Sequence, residues 1–353
     1  MSDSIVKKLS TLDRLLPLWI FLAMALGLGL GRTWPGLGPA LDRIKLDTVS
    51  LPIAVGLLWM MYPVLAKVRY GELGHLTARG KMLGLSLVFN WVVGPLVMFG
   101  LAWLFLPDLP HYRTGLILIG LARCIAMVLI WNVLACGSNE LAALLVALNS
   151  LFQILFYSVL GWLFITAIPT WLGIGGSAFH VSMWAIGKSV AIFLGVPLVA
   201  GALTRFILVR WRGEAWYEQV FLPRLGPTAL VGLLYTIVLM FAMQGDKILA
   251  HPLDVVRIAI PLVVYFAVIF LAAFFASRQL GCTYEETAAL AFTAAGNNFE
   301  LAIAVSVGVF GISSGEALAG VVGPLIEVPA LICLVYLALW LRRRLWPSAE
   351  QAT

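Results

Sequence analysis

Residues 115–136 read GLILIGLARCIAMVLIWNVLAC, an apolar stretch that is interrupted by the pair Arg123-Cys124. A guanidinium at membrane depth is costly unless it has a partner or a water-filled cavity, so by default it marks a functional site. Nearby positive charge also favours the thiolate form of a cysteine, which makes this pair a candidate site for a small, thiol-seeking ligand. The structural alternative is an ordinary buried cysteine, which is our interpretation of Cys136 and Cys333.

Similar apolar stretches recur along the whole chain of 353 residues, of which 62% are hydrophobic and only 11% are charged. A soluble domain contains about 25% charged residues, so the composition indicates an integral membrane protein. Stretches of about 20 apolar residues are typical of transmembrane helices, whereas a β-barrel would alternate polar and apolar residues in runs of about ten. We therefore predict an all-α integral membrane protein with ten transmembrane helices, near 15–31, 47–66, 82–106, 115–136, 139–167, 187–209, 226–243, 253–277, 285–310 and 318–341.

The chain has a net charge of +6, and its basic residues are unevenly distributed between the two sides of the predicted spans. With ten spans both termini lie on one side, which carries fifteen Lys and Arg residues against six on the other. The positive-inside rule then predicts a multi-pass protein of the plasma (inner) membrane with both termini in the cytoplasm. Insertion into a lipid bilayer with this topology explains the excess of basic residues, so no nucleic-acid partner is expected. The cytoplasmic set is Lys7, Lys8, Arg14, Lys67, Arg69, Arg79, Lys81, Arg205, Arg210, Arg212, Arg224, Arg278, Arg342, Arg343 and Arg344.

The two halves of the chain share residues at an offset of 176 positions. VGLL at 55–58 recurs at 231–234, and Ser138 and Glu140 match Ser314 and Glu316. Five spans per repeat force the second copy to enter the membrane inverted, an arrangement typical of secondary transporters with sites at interrupted helices near the midplane. We predict one membrane unit made of two repeats, 1–176 and 177–353, with no soluble domain. At this offset Cys124 corresponds to Glu300.

The ninth span contains GNNFE at 296–300, where Gly and two Asn residues are poor helix formers. This pattern predicts an interruption, which is tolerable at membrane depth only beside a cavity or other protein. Glu300 lies on the same helical face as Asn297, and desolvation at that depth favours the protonated form of a carboxyl group. Glu300 is therefore a candidate proton carrier, with a structural ion pair to Arg123 as the alternative.

The tenth span contains a second acid, Glu327, within VVGPLIEVPALIC (321–333). Pro324 and Pro329 bracket it, and we expect them to kink the helix or to leave nearby carbonyls unpaired. Glu327 is a second candidate proton carrier or the counter-charge of Arg123. Neutral polar side chains at the same depth are candidates to line a cavity, with interhelical hydrogen bonds as the alternative: Asn90, Asn132, Asn149 and Gln153.

Four segments together resemble the arsenite efflux permeases, a family of the bile acid/arsenite/riboflavin transporter superfamily: GLARCIAMVLIWN (120–132), LVALNSLFQ (145–153), FTAAGNNFELAIAV (292–305) and GPLIEVPALICLVY (323–336). The resemblance covers most of the ten spans. It implies two inverted five-helix repeats whose interrupted fourth and ninth helices cross near mid-membrane. It also implies secondary active efflux of trivalent arsenic (arsenite), with antimonite as a further candidate, in exchange for protons, and hence arsenical resistance.

The resemblance further implies roles for individual residues. Cys124 is the ligand to trivalent arsenic as cargo, with Arg123 beside it, and Glu300 and Glu327 couple transport to protons. The other substrate-binding positions are Asn90, Asn149, Asn297 and Asn298. A single soft thiolate suits arsenite better than hard oxyanions and also permits its release. We expect no cofactor and no enzymatic activity, and the sequence assigns neither an energising ATPase partner nor a homo-oligomer.

Three alternative functions are also compatible with the sequence. A sodium-coupled organic-anion symporter of the same superfamily would use Asn-rich broken helices for sodium, but a buried thiol has no use in it. A membrane-embedded thiol enzyme would need a base or a second cysteine near Cys124. A passive metalloid channel would conduct without a proton gradient.

Overall fold

The computed structural model describes residues 15–34, 36–46, 49–68, 80–125, 127–174, 181–250, 252–312 and 314–346. The basic residues Lys7, Lys8, Arg14, Arg69 and Arg79 lie outside this described part. The helices are α1 (Leu16–Thr33), α2 (Leu37–Asp42), α3 (Leu51–Ala66), α4 (Gly80–Phe105), α5 (Pro110–Leu121), α6 (Val128–Leu134), α7 (Asn139–Trp171), α8 (Met183–Arg212), α9 (Glu214–Trp216 continued by Tyr217–Phe221 and Leu222–Ala250), α10 (Pro252–Gln279), α11 (Tyr284–Ala295), α12 (Phe299–Phe310) and α13 (Gly315–Leu345).

The described chain is helical almost throughout, which confirms the predicted all-α class. Extended structure there is limited to β1 (Lys45–Leu46) and β2 (Val49–Ser50), an antiparallel ladder in which Lys45 pairs with Ser50. This ladder occupies the beginning of the predicted second span, so the helix starts at Leu51 rather than at 47. Six described helices are long and apolar enough to cross a membrane, and three shorter helices are also apolar: α4, α7, α8, α9, α10 and α13, then α1, α3 and α12.

Four long helices contain a π-helical turn, and a proline explains each one. The turns are Phe89–Val93, Leu163–Ala167, Ala191–Gly195 and Tyr217–Phe221. Each is followed by a residue and then a proline, as in Gly94-Pro95. Proline has no N–H and its ring clashes with the carbonyl four residues earlier, so the α-helical bond is lost at that point. The residue before the proline donates to the carbonyl five residues back, for example Gly94 to Phe89, and the helix continues.

The predicted fourth and ninth spans are each split into two helices. The fourth consists of α5 and α6 with a non-helical segment after Leu121, and the ninth consists of α11 and α12 separated by residues 296–298. In the tenth span α13 continues through Pro324 and Pro329 as one helix. Because a proline removes the helical bond to the carbonyl four residues earlier, a kink or unpaired carbonyls around Glu327 stay a prediction.

Serine and threonine caps set the start of the helices around the two split spans. Ser138 and Ser314 accept from the backbone N–H of Leu141 and Ala317, so both act as helix N-caps. Thr283 begins α11 with a capping box, in which Glu286 accepts in return from the Thr283 backbone.

The helices pack in two groups. In one group α9 packs along α1 and α3, and α8 packs against α3. In the other, α10 packs against α11 and α13, α13 against α5 and α12, and α4 against α5. The amino-terminal part of α8 joins the groups by packing against α7 and α12. The second group therefore contains both split spans.

Candidate functional site

The two non-helical segments meet and pair through their backbones. Arg123 and Asn297 form an isolated antiparallel bridge. The Cys124 N–H donates to Gly296 O (3.2 Å), and the Asn298 N–H donates to Ala122 O (3.0 Å). This exchange satisfies backbone groups that the broken helices leave unpaired. The bonds are symmetric about the pair of Arg123 and Asn297, so residues with equivalent roles are 174 positions apart: Cys124 and Asn298 both donate, and Ala122 and Gly296 both accept. At the crossing the counterpart of Cys124 is therefore Asn298, not the Glu300 expected from the 176-residue offset.

A side chain from the following long helix caps each segment in the same manner. Gln153 of α7 accepts from the Arg123 backbone N–H through Oε1 (3.0 Å). Glu327 of α13 accepts from the Asn297 backbone N–H through Oε1 (3.3 Å). Gln153 and Glu327 are both buried and are also 174 positions apart. The arrangement at one segment is therefore repeated at the other, with a carboxylate in place of an amide.

The Arg123 guanidinium is fully buried (0% exposed) and is held from one side only. Its Nη1 donates to the Tyr265 hydroxyl (2.8 Å) and to the Ala294 carbonyl (3.2 Å). Its Nε and Nη2 have no hydrogen-bond partner among the described residues. None of the ion pairs in the described chain includes Arg123, so neither Glu300 nor Glu327 is its counter-charge in this conformation.

Cys124 is buried where the two segments pack most closely. Its side chain is 3% exposed, and it lies against Gly296 of the opposite segment. A Cβ at position 296 would stand 2.9 Å from the Cys124 Cβ and 3.6 Å from its sulfur. Glycine at 296 is therefore what allows the thiol-bearing segment to approach. The crossing brings together Arg123, Cys124 and Asn297 as the sequence predicted.

The opposite segment carries the amides and the two acids. Asn297 Nδ2 donates to Ile119 O (2.6 Å) and Ala122 O (3.2 Å), which ties this segment to the end of α5. Asn298 caps α12, since its Oδ1 accepts from the Leu301 N–H (2.9 Å). Glu300 lies in the first turn of α12 and interacts electrostatically with Glu327. The two predicted proton carriers thus belong to one region.

The remaining polar candidates are Asn149, Asn90 and Asn132, and the last two already hydrogen-bond to other side chains or backbone of the protein. Asn149 is buried on α7, the helix that also carries Gln153. Asn90 lies in the π turn of α4, and its amide nitrogen donates to Ser86 on its own helix. Asn132 donates to Asn139 beside the connection between α6 and α7, so its bond is structural.

Two residues of this site were not identified from the sequence. Tyr265 gives no signal in a chain with nine tyrosines, because its position in α10 resembles an ordinary interior aromatic. Gly94 precedes Pro95 at the π turn, and only the packing reveals that it faces Arg123. Gln153 was predicted to line a cavity or to form an interhelical bond, but its role in binding the Arg123 backbone N–H was not.

The site has an excess of buried polar atoms without partners. Such atoms are costly, since each has lost its bonds to water. Among the described residues the unpaired donors outnumber the unpaired acceptors: Arg123 Nε and Nη2, Gln153 Nε2, Asn149 Nδ2 and Asn298 Nδ2, against Asn90 Oδ1 and Asn297 Oδ1. The described part contains no cluster of three or more His, Cys, Asp or Glu side chains suited to a bound metal ion. The chemistry therefore fits a small polar ligand and a single thiol.

Comparison with known proteins gives consistent similarities. Residues 54–251 match the model of the sodium bile acid symporter family. The chain is 54% identical to the arsenical-resistance protein Acr3 of Corynebacterium glutamicum, over 97% of this chain and 92% of the relative. It is 32% identical to the protein of the same name from Alkaliphilus metalliredigens, over 93% and 92% of the two chains. An uncharacterised transporter of a Synechocystis species is 37% identical over 98% of this chain and 93% of its own.

Proposed function

Because the chain belongs to the arsenical-resistance protein family, we propose that it exports trivalent arsenic from the cytoplasm across the inner membrane in exchange for protons. The observation that carries this proposal is a buried thiol, Cys124, at the crossing of two interrupted helices. It lies beside a guanidinium that pairs with no carboxylate in the described part of the chain. Antimonite, which shares the thiol-seeking chemistry of arsenite, is a second proposed substrate.

The proposed architecture is a multi-pass unit of two inverted five-helix repeats, 1–176 and 177–353, with both termini in the cytoplasm. Support comes from the reciprocal backbone bonds at the crossing and from the matching roles of Gln153 and Glu327. Ser138 and Ser314 cap helices at equivalent positions. Inverted repeats of this kind alternate access around a fixed site.

Cys124 is the proposed ligand to the cargo. At neutral pH trivalent arsenic is an uncharged hydroxide, and a soft thiolate selects it over hard oxyanions. The sulfur forms a bond to arsenic as one As–O bond breaks, and the thiol proton leaves with that hydroxyl as water, so no oxidation state changes. The donors of Arg123, Asn149 and Asn298 and the acceptors of Asn90 and Asn297 are available for the remaining hydroxyls.

Glu300 and Glu327 are the proposed proton carriers. The repulsion between their negative charges disfavours ionising both carboxylates at once, so the pair favours holding one proton. Protonation would favour the outward release step. Exchange of a neutral hydroxide for one proton moves net charge, and the membrane potential supplies about 2.3 kcal/mol per 100 mV. That is more than about a tenfold concentration ratio from the potential alone.

Arsenite uptake into everted membrane vesicles tests the proposal, with pH and sodium gradients imposed separately. We expect uptake to follow the pH gradient. Cys124→Ala should abolish uptake, whereas Cys333→Ala, which changes an exposed thiol on α13, should leave it unchanged. Glu300→Gln should retain arsenite binding but lose the dependence on the pH gradient.

Each of these expected results can be contradicted. Undiminished uptake by Cys124→Ala would remove the thiol from the mechanism, and pH-driven uptake by Glu300→Gln would place coupling elsewhere. The match to the sodium bile acid symporter family favours one alternative, sodium-coupled transport of an organic anion. Uptake driven by sodium alone would support that alternative.

A further inference from the structure

The Arg123 guanidinium sits in a socket formed by three elements. The Tyr265 hydroxyl of α10 and the Ala294 carbonyl at the end of α11 both accept from Nη1. Gly94 of α4 lies against the same nitrogen, and a Cβ there would stand 2.9 Å from Nη1 and 3.1 Å from the Tyr265 hydroxyl. The Tyr265 ring also lies within 6.0 Å of the guanidinium carbon. These contacts all hold one edge of the guanidinium.

The other edge of the guanidinium, formed by Nε and Nη2, makes no hydrogen bond to the described residues. Nε and Nη2 are buried and have no partner among the described residues, and no described carboxylate pairs with the guanidinium. A guanidinium presents its N–H groups in a rigid fork, so fixing Nη1 also fixes the direction of Nε and Nη2. A buried cation with two unused donors is costly unless a ligand satisfies them.

We propose that Tyr265 and Gly94 are positioning residues that aim Nε and Nη2 of Arg123 at two oxygen atoms of the cargo. The inference rests on the proposed function and deepens it, because it assigns recognition of the oxygens to Arg123 and of the metalloid to Cys124. Tyr265 does not touch the cargo in this scheme. It prevents the guanidinium from turning away, and Gly94 leaves the space in which the pair of side chains fits.

The consequence is a loss of affinity when the socket is altered. Tyr265→Phe keeps the ring and removes the hydroxyl that accepts from Nη1. Hydrogen bonds to charged groups are among the stronger ones, so we expect the KM for arsenite in everted vesicles to rise about tenfold with little change in maximal rate. Gly94→Ala should raise the KM in the same direction, because the added methyl displaces Nη1.

Two matched controls separate positioning from general damage. Tyr217→Phe also removes a buried hydroxyl, one that donates to the Ala66 carbonyl in the other helix group. Gly100→Ala adds a methyl to the same helix as Gly94, at a position with nothing within 4 Å. Both should keep the KM of the parent protein.

A double-variant cycle gives the decisive readout. Lys at 123 retains the charge but lacks the fork, so Tyr265→Phe should change arsenite affinity less than about twofold in an Arg123→Lys background. Affinity can be measured as arsenite-dependent thermal stabilisation of the detergent-solubilised protein. A full tenfold effect in that background, or an unchanged KM for Tyr265→Phe in an otherwise active protein, would overturn the inference. Failure of the parent vesicles to take up arsenite would instead refute the proposed function.

Discussion

At the residue scale, breaking two helices creates buried N–H groups that need acceptors. Gln153 and Glu327 supply them to Arg123 and Asn297 from the neighbouring long helices. An unsatisfied buried N–H costs about 1–3 kcal/mol, so these two side chains contribute to the fold besides any role in transport. For Glu327 the two roles can be separated, because an amide keeps the accepting oxygen and loses the titrating group.

We therefore predict different effects for two substitutions at Glu327. Glu327→Gln should stay close to the parent protein in melting temperature, since its Oε1 still accepts from the Asn297 N–H. Glu327→Leu should lose about 1–3 kcal/mol of unfolding free energy, because that N–H is left unsatisfied. Thermal unfolding in detergent measures both, and Gln153→Leu should resemble Glu327→Leu. Equal melting temperatures for the Gln and Leu variants would show that the hydrogen bond from the Asn297 N–H does not stabilise the fold.

At the element scale, the approach of the two segments depends on a residue without a side chain. Gly296 has an extended backbone that alanine can adopt (φ −69°, ψ 143°), so the constraint is packing rather than backbone conformation. The atom it faces is the Cβ of Cys124, which is fixed to the opposite backbone and cannot rotate away.

Gly296→Ala should therefore separate the segments and disable the site. Overpacking of a tight core costs about 1–3 kcal/mol, and here the strain falls on the backbone bond from Cys124 to Gly296. We expect arsenite uptake to fall at least about tenfold while the protein still reaches the membrane, since about 1.4 kcal/mol corresponds to tenfold. Gly84→Ala on α4, where nothing lies within 4 Å, is the matched control and should transport normally. Normal uptake by Gly296→Ala would mean that the segments tolerate separation.

The sequence predicted some elements well and others poorly, for identifiable reasons. Long apolar runs give α7, α8 and α10, and the Gly-Asn-Asn pattern correctly predicts the break before α12. The prolines of α13 do not end the helix, and whether they kink it depends on how neighbouring helices accommodate them, which no local pattern reveals. The register of the crossing was also missed, because the offset of 176 between Ser138 and Ser314 has changed to 174 by Gln153 and Glu327, within the same two helices. Tyr265 and Gly94 are recognisable only from contacts between distant spans.

At the scale of the whole molecule, the proposed topology predicts which side of the membrane each connection between helices faces. Cys136 is exposed at the connection from α6 to α7, and Cys282 is partly buried between α10 and α11. Both connections fall on the predicted cytoplasmic side. Asp108, between α4 and α5, falls on the opposite side and pairs with Arg257 of α10.

Labelling with a membrane-impermeant maleimide tests this arrangement in a chain whose Cys124 and Cys333 are replaced by serine. Cys136 and Cys282 should react in everted vesicles, which expose the cytoplasmic face, and not in intact spheroplasts. With both of these also replaced, Asp108→Cys should show the reverse pattern. Labelling of all three positions from the same face would exclude the inverted arrangement.

The pH dependence of labelling adds a second check on Cys282. Burial, reinforced by the Glu286 carboxylate, raises the pKa of the Cys282 thiol, although Lys81 acts in the opposite direction. Maleimide reacts with the thiolate, and a raised pKa means that less thiolate is present at neutral pH. Cys282 should therefore label slowly at pH 7 and considerably faster at pH 9. Glu286→Gln should increase the rate at pH 7, because it removes the nearby negative charge. If Cys282 reacted at pH 7 as fast as a fully solvated thiol, it would not be partly buried beside Glu286.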